Sequence, residues 1–328
     1  MTKQTADHRH LLGAPIRDPI LDEVRTYVDA AGQMGKIVSI AIDGTAEVEV
    51  YIRNQARIAA KVGLDFDQQI WPRDITQDAC KSRIQQMNDD PSVLGIIIQR
   101  PLPSHINIRS LQSAVHPLKD IEGMNPASIG NIVYSDIALV PCTAAASVEM
   151  IKATGLTLAG LEVVMIGHSE IVGRPAAMML MAEGATVTIC HHMTRSVAMH
   201  SRRADVVLVA VGSPHFIGPD MIKPGAAVID IGINQITNDD GTSRIVGDVD
   251  TAAVTEVAGW ITPVPGGVGP VTVAVLMRNA VIAHQRQRQS GWRTELCTCS
   301  SACRNFKFYW FARSAVTYFL RHLLYQIR

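Results

Sequence analysis

Gly167, Ser169 and Gly173 separate a short apolar run, Val163 to Ile166, from apolar residues at helical spacing: Val172, Ala176, Met179 and Leu180. A strand, a glycine turn and a helix in that order bring backbone N–H groups and a positive helix end beside a phosphate. The spacing is Gly-x-Ser-x-x-x-Gly, not Gly-x-Gly-x-x-Gly. Alone, it describes an ordinary turn of an α/β protein equally well. A second group of polar side chains, Gln99 and Arg100, leaves the carboxyl end of the apolar run Val93 to Ile98. Side chains at such strand ends face the ligand crevice of a parallel sheet. The charged turn Lys119-Asp120-Ile121-Glu122-Gly123 follows, and taken in isolation it reads as a solvated loop. The stretch from Ile261 to Pro270 holds three prolines and three glycines in ten residues, an irregular backbone that can approach a ligand closely.

These groups need a scaffold. Asp18-Pro19 reads as an N-cap with a first-turn proline, ahead of a stripe of Leu21, Val24 and Val28 closed by Gly32. Lys36 to Ile42 reads as a strand. A helix spans about Ala46 to Lys61, with Val48, Tyr51, Gln55, Ile58 and Val62 along one face. Another covers roughly Gln77 to Met87, and Val93 to Ile98 is the next strand. Pro141-Cys142-Thr143 marks a boundary, with Thr143 capping a helix through Lys152. Strands are then expected at Ala185–Cys190, Ala204–Val211 and Ala226–Ile231, and a buried helix from about Val271 to His284. Alternating β and α elements predict two α/β domains with parallel sheets, the second Rossmann-like. The expected division is residues 1–141 plus a returning helix at about 271–286, then residues 142–270.

The chain has 328 residues, 47% of them hydrophobic, and no formal net charge. Nothing in that balance points to nucleic acid or an anionic membrane. The polar amino terminus carries no secretory signal, no apolar run is long enough to span a bilayer, and Cys80, Cys142 and Cys190 sit singly in apolar surroundings. A cytoplasmic protein with reduced thiols is expected.

The second strand of a Rossmann domain ends near the adenosine ribose, where an acid selects NAD and basic groups accept the extra phosphate of NADP. Here the run is Cys190-His191-His192-Met193-Thr194-Arg195, without an acid. It points to NADP in preference to NAD. The paired histidines invite a metal, but no second ligand pair stands at a recognisable spacing, and a loop imidazole pair is preferred.

Together the motifs resemble the methylenetetrahydrofolate dehydrogenase/cyclohydrolase (FolD) family. Thr262 to Thr272 is similar to its Pro-Gly-Gly-Val-Gly-Pro signature, and Tyr51-Ile52-Arg53-Asn54-Gln55 to its Tyr-x-x-x-Lys helix. Ile98 to Pro103 is similar to its Val-Gln-Leu-Pro-Leu-Pro turn, and Lys119 to Gly123 to its Lys-Asp-Val-Asp-Gly. Pro141 to Thr143 and Gly167 to Pro175 also match. The resemblance spans about residues 11–286. It implies two α/β domains with the active site in the cleft between them, assembled as a homodimer. It implies hydride transfer from 5,10-methylenetetrahydrofolate to NADP, then hydrolysis of the methenyl cation to 10-formyltetrahydrofolate. By motif, Tyr51 stacks on the folate, Gln99 and Glu122 hydrogen-bond around it, and position 55 does the cyclohydrolase chemistry. Ile98, Arg100, Pro265, Gly266, Gly267, Val268 and Gly269 line the folate side. Gly167, His168, Ser169, His192, Arg195 and Ile233 hold the dinucleotide.

The sequence departs from this pattern around the same site. Gln55 replaces the family lysine, Val48 a serine, Glu122 an aspartate, Arg100 a leucine and His168 a frequent arginine. A neutral amide does not titrate near pH 7, so cyclohydrolase activity is in doubt. Two alternatives follow: a dehydrogenase of the same fold acting on another one-carbon carrier such as a modified pterin, or a non-catalytic folate- or nucleotide-binding paralogue. Residues 290–328 differ in kind, holding four of the six phenylalanines and three of the six cysteines. Cys297, Cys299 and Cys303 lack a fourth zinc ligand. The expected role of this tail in catalysis is none.

Overall fold

The computed structural model describes residues 10–237 and 242–291, the side chains of residues 46 and 47 apart. The aromatic tail and its cysteines therefore lie outside the described residues. The elements run α1 Ala14–Ala31, β1 Lys36–Ile42, α2 Ala46–Lys61, β2 Asp65–Trp71, α3 Gln77–Asp89, β3 Val93–Ile98, α4 Ile108–Ala114 and α5 Pro126–Val133. They continue α6 Cys142–Ala153, β4 Glu162–Ile166, α7 Gly173–Ala182, β5 Thr186–Cys190, α8 Val197–Ser201, β6 Val206–Val209 and β7 Ala227–Asp230. The last are β8 Asn234–Thr237, β9 Ser243–Val246, α9 Thr251–Val254, β10 Trp260–Ile261 and α10 Val268–Gln289.

Two parallel sheets form. One has three strands in the order β2-β1-β3; the other has five in the order β10-β7-β6-β4-β5. Strands β1, β3 and β6 are buried on both faces, which is why they read as nearly continuous apolar runs. The five-stranded sheet is Rossmann-like, with β4 and β6 paired at Ile166 and Val209. Helix α10 packs on α1, α6 and β3 and so ties the two sheets together. Its Asn279 donates to the carbonyls of Ile121 and Val140, and Gln287 to those of Leu94 and Leu118. The first described residues join the far sheet: Leu11 N–H donates to Ile261 and Gly13 N–H to Gly266. No described helix is long and apolar enough to cross a membrane.

Three local expectations are corrected. Helix α1 starts at Ala14, not after Asp18, and Pro19 lies inside it. Pro15 already occupies the first turn, so Pro19 costs only one early hydrogen bond. Thr143 does not cap α6, which begins at Cys142 with Pro141 before it and no side-chain cap. The turn from Lys119 to Gly123 is not a solvated loop. Lys119 is fully buried, and its Nζ donates to the carbonyls of Met87 at 2.7 Å and Asp90 at 2.6 Å. Asp120 accepts from Asn125 N–H and the Ser128 hydroxyl. Gly123 has φ of 71° beside Val140, where a side chain would collide with the backbone. The charges in this motif tie β3, α3 and α5 together and set the position of Glu122.

Removing the ammonium leaves two buried carbonyls without their donor. Lys119→Met is therefore expected to lower the unfolding free energy by roughly 2–4 kcal/mol. Urea denaturation checks it, and an unchanged midpoint would show that water replaces the ammonium.

Candidate active site

Tyr51 and Gln55 lie one helical turn apart on α2, so both project over the same side. Gln55 is 3% exposed, and its Oε1 accepts from Gln99 Nε2 at 2.7 Å. The same Gln99 nitrogen donates to Ser39 Oγ at 3.0 Å. Three polar side chains, from α2, β1 and the residue just after β3, thus satisfy one another in an apolar interior, as buried polar groups must. Ser39 was not among the expected residues. Its signal is a hydroxyl inside the apolar run Ile37 to Ile42.

Gln99 and Glu122 line a cavity of about 190 Å³ with Tyr51, Ile98, Arg100, Gln112, Met124 and Ile171. Glu122 Oε2 accepts the Ile98 N–H at 2.8 Å. Burial, foremost, pushes its pKa up to about 7 despite that hydrogen bond; the charge of Asp120 adds to the rise, and Arg100 opposes it. Arg100 is exposed but borders the cavity, and its charge acts on Glu122. Tyr51 is 44% exposed as a whole residue, while its hydroxyl is desolvated. Burial, then the charges of Cys142 and Glu122, raise its pKa to about 12 against a hydrogen bond with Gln55.

A larger cavity of about 360 Å³ opens on the other side of Tyr51. Pro265, Gly266, Gly267, Val268 and Gly269 line it, with Ile233 and Asp230 from the end of β7 and its loop, and with Arg17, Asn54 and Thr143. The Pro-Gly stretch turns sharply: Val264–Pro265 is cis, Gly266 has φ of 108°, and Gly267 N–H returns to the Pro263 carbonyl. Ile233 is 72% exposed, an apolar side chain presented to the cleft. The buried Asp230 and Asp248 hold the adjoining loops. Asp248 accepts from the N–H groups of Val211, Gly212 and Ser213, and Asp230 from those of Gly232, Asp248 and Val249.

Val48 does not belong to either cavity. It packs with Ala41 and Ile52 in a small apolar cluster, so its departure from the family pattern leaves the pocket untouched. His168 lines neither cavity either. Of the five departures, Arg100 and Glu122 line the smaller cavity, and Gln55 stands behind it against Gln99.

The glycine turn follows β4. Gly167 has φ of 115°, and a Cβ there would strike the Ala210 carbonyl; a Cβ on Gly173 would strike that of Gly167. This tight turn fits a pyrophosphate cradle, with one correction. Ser169 Oγ accepts the N–H groups of Val172 and Gly173, its carbonyl accepts that of Arg174, and Pro175 has none. The first amides of α7 are thus engaged inside the turn, and the helix end supplies its dipole rather than free donors. His168, on the same turn, meets His191 and His192 from the end of β5: ligand nitrogens of all three lie within 4.8 Å of one another. A third histidine, distant in sequence, therefore joins the pair. Arg195 is exposed three residues further on.

A glycine turn on an interior strand of a Rossmann-like sheet, facing a polar cavity on a second sheet, defines a two-domain dinucleotide-dependent enzyme. Family comparison agrees. Residues 11–122 match the catalytic domain and residues 141–288 the NAD(P)-binding domain of tetrahydrofolate dehydrogenase/cyclohydrolase. The chain belongs to the tetrahydrofolate dehydrogenase/cyclohydrolase family. It is similar to bifunctional protein FolD 3 of Roseobacter denitrificans, 72% identical over 286 residues, 87% of this chain and 99% of that one. Bifunctional protein FolD of Rhodobacter capsulatus is 69% identical over 289 residues, 87% of this chain and 96% of that one. Among solved structures, the bifunctional FolD enzyme of Campylobacter jejuni superimposes with a TM-score of 0.80 at 33% identity, covering 84% of this chain and 98% of that one. The Trypanosoma brucei methylenetetrahydrofolate dehydrogenase-cyclohydrolase, complexed with NADP and an inhibitor, does so at 0.78 and 32%, covering 84% and 96%.

Proposed function

We propose that this protein is an NADP-dependent 5,10-methylenetetrahydrofolate dehydrogenase that has lost most cyclohydrolase activity. The observation that carries the first half is the position of Tyr51, which borders both cavities. A flat reduced pterin stacked on that ring would reach Gln99 and Glu122 on one side and the Pro265–Gly269 stretch on the other. When bound, NADP supplies the hydride acceptor. The protein's part is alignment, which fixed backbone around Gly266 and the loop at Ile233 favour. The second half rests on Gln55, which orients Gln99 and the Tyr51 hydroxyl but has no titrating proton near pH 7. High identity to bifunctional relatives along nearly their whole length favours neither a different one-carbon carrier nor a non-catalytic paralogue. In this reading the domains divide at residues 141 and 142, with the helix at about 271–286 returning to the first. The enzyme works as a cytoplasmic homodimer.

The test is reduction of NADP and of NAD at matched concentrations with methylenetetrahydrofolate. Faster turnover with NADP is expected, because the loop after β5 carries imidazoles and Arg195 and no acid. Equal or faster turnover with NAD would overturn the cofactor assignment. No turnover with either would overturn the activity.

A further inference from the structure

The smaller cavity of the first domain takes part of its wall from the second. Ile171 belongs to the glycine turn after β4, yet it lines that cavity together with Gln99, Gln112 and Glu122. The residue before it, Glu170, meets Arg109 of α4, with Oε2 2.7 Å from the guanidinium Nη2. Gln112 lies three residues after Arg109 on the same helix, so the two share a face. Each side thus sets a charged residue close to a cavity residue: Arg109 with Gln112, and Glu170 with Ile171.

Arg109 does nothing for its own helix. It stands in the first turn of α4, where a cation opposes the helix dipole. Its base is fixed all the same. His105 Nε2 donates to the Ile75 carbonyl at 3.0 Å, Asn107 N–H donates to Gln77 Oε1 at 2.7 Å, and Asn107 Oδ1 caps the helix at the Ser110 N–H. The turn opposite is equally stiff. Ser169 accepts the N–H groups of Val172, Gly173 and Arg174, and Gly167 N–H donates to the Cys190 carbonyl. Neither Gly167 nor Gly173 has room for a side chain. A turn with its polar groups so engaged moves as a unit, and drawing Glu170 toward α4 carries Ile171 with it.

We propose that Arg109 and Glu170 form an ionic clasp between the domains that holds Ile171 over the smaller cavity, making both of them positioning residues for the folate. This rests on reading that cavity as part of the folate site. The Arg109 side chain is 76% exposed and that of Glu170 36%, so the pair is weak, screened by salt and able to part when a ligand enters. Shut, it keeps an apolar side chain between the ligand and water. Its contribution to affinity is a factor of about two to five, the range that exposed pairs supply. A clasp and a simple attraction differ in sign. A reduced folate carries the carboxylates of its glutamate. If Arg109 only attracted that anion, neutralising it would weaken binding and neutralising Glu170 would strengthen it. In a clasp either change weakens binding by the same factor, and both together weaken it no more than one.

Isothermal titration of the full chain with 5-formyltetrahydrofolate, a stable reduced folate, tests this at low and high salt. At low ionic strength Arg109→Gln and Glu170→Gln should each weaken binding by about two- to fivefold. The variant carrying both changes should match either alone. Near about 1 M salt, wild type should lose its advantage over all three. Ile171→Ala leaves the ion pair but removes what it holds in place. In that background Arg109→Gln should have no further effect, whereas a role in the fold alone would add its loss to that of Ile171→Ala. Opposite signs for the two neutralised variants would overturn the proposal, and so would affinity unchanged in both. The full Arg109→Gln effect retained beside Ile171→Ala would overturn it as well. If wild type does not bind the probe with or without NADP, the folate reading itself fails and takes this proposal with it.

Discussion

Given methylenetetrahydrofolate and NADP, the wild-type protein is expected to reduce the dinucleotide and release methenyltetrahydrofolate that decays no faster than in buffer. Opening the methenyl cation requires a proton taken from attacking water and another delivered to the leaving ring nitrogen. A buried lysine with a lowered pKa can do both. Position 55 is placed for that work, sealed from bulk water and in contact with Gln99 beside the smaller cavity. The amide of Gln55 can hold a water molecule but cannot exchange protons near neutrality. Hydride transfer asks only for alignment, so the two activities should separate. Gln55→Lys is expected to raise methenyltetrahydrofolate hydrolysis by ~10²–10⁴-fold. In that variant the Gln99 side chain must turn its amide so that its oxygen, not its nitrogen, meets the ammonium; Ser39 can serve either sense. Gln55→Met should leave hydrolysis at the buffer rate. The measurement is decay of methenyltetrahydrofolate with each protein. Rapid decay with wild type would sink the idea and move the acid–base role to Glu122, whose pKa of about 7 suits it.

Glu122 carries the second large effect. Its Oε2 is held by the Ile98 N–H, so the carboxylate can offer its other oxygen to N–H donors on a reduced pterin. Only the ionised form accepts at both oxygens. With a pKa of about 7 in the free enzyme, kcat/KM for methylenetetrahydrofolate should rise with pH through about 7 and then level. Glu122→Gln should be flat over the same range and lower by roughly 10²-fold, the cost of losing a charge-assisted bond in a dry site. Stability should move the other way. A carboxyl whose folded pKa is raised from 4.5 to about 7 favours the folded state when protonated, and that advantage is lost as pH rises between those values. Above about pH 8, Glu122→Gln should therefore be more stable than wild type, by roughly 1–3 kcal/mol. Denaturation at two pH values measures this. A variant both inactive and less stable at alkaline pH would mean that Glu122 serves the fold, with no ligand to receive.

The first prediction uses a helix whose bounds and facing side chains were legible from the chain. Ala46 to Lys61 shows helical periodicity throughout, and side chains four apart on a helix share a face whatever surrounds it. The same holds for the strands at Lys36–Ile42 and Val93–Ile98, where nearly continuous apolar runs declare burial on both faces. The strand Asp65–Trp71 was invisible. It is an edge strand whose alternation is blurred by Asp67, Gln68 and Gln69, and only pairing with β1 makes it a strand. Lys119 looked like a surface charge because nothing local shows two carbonyls waiting for it in the turn after α3. Val48 looked like a pocket residue because periodicity gives the apolar face of α2 but not which part of that face meets the cavity. His168 and His191 are 23 positions apart and belong to different turns. Local spacing determines that each ends a strand; only the order of strands in the sheet, with β4 beside β5, decides that those ends meet and that three imidazoles share one site.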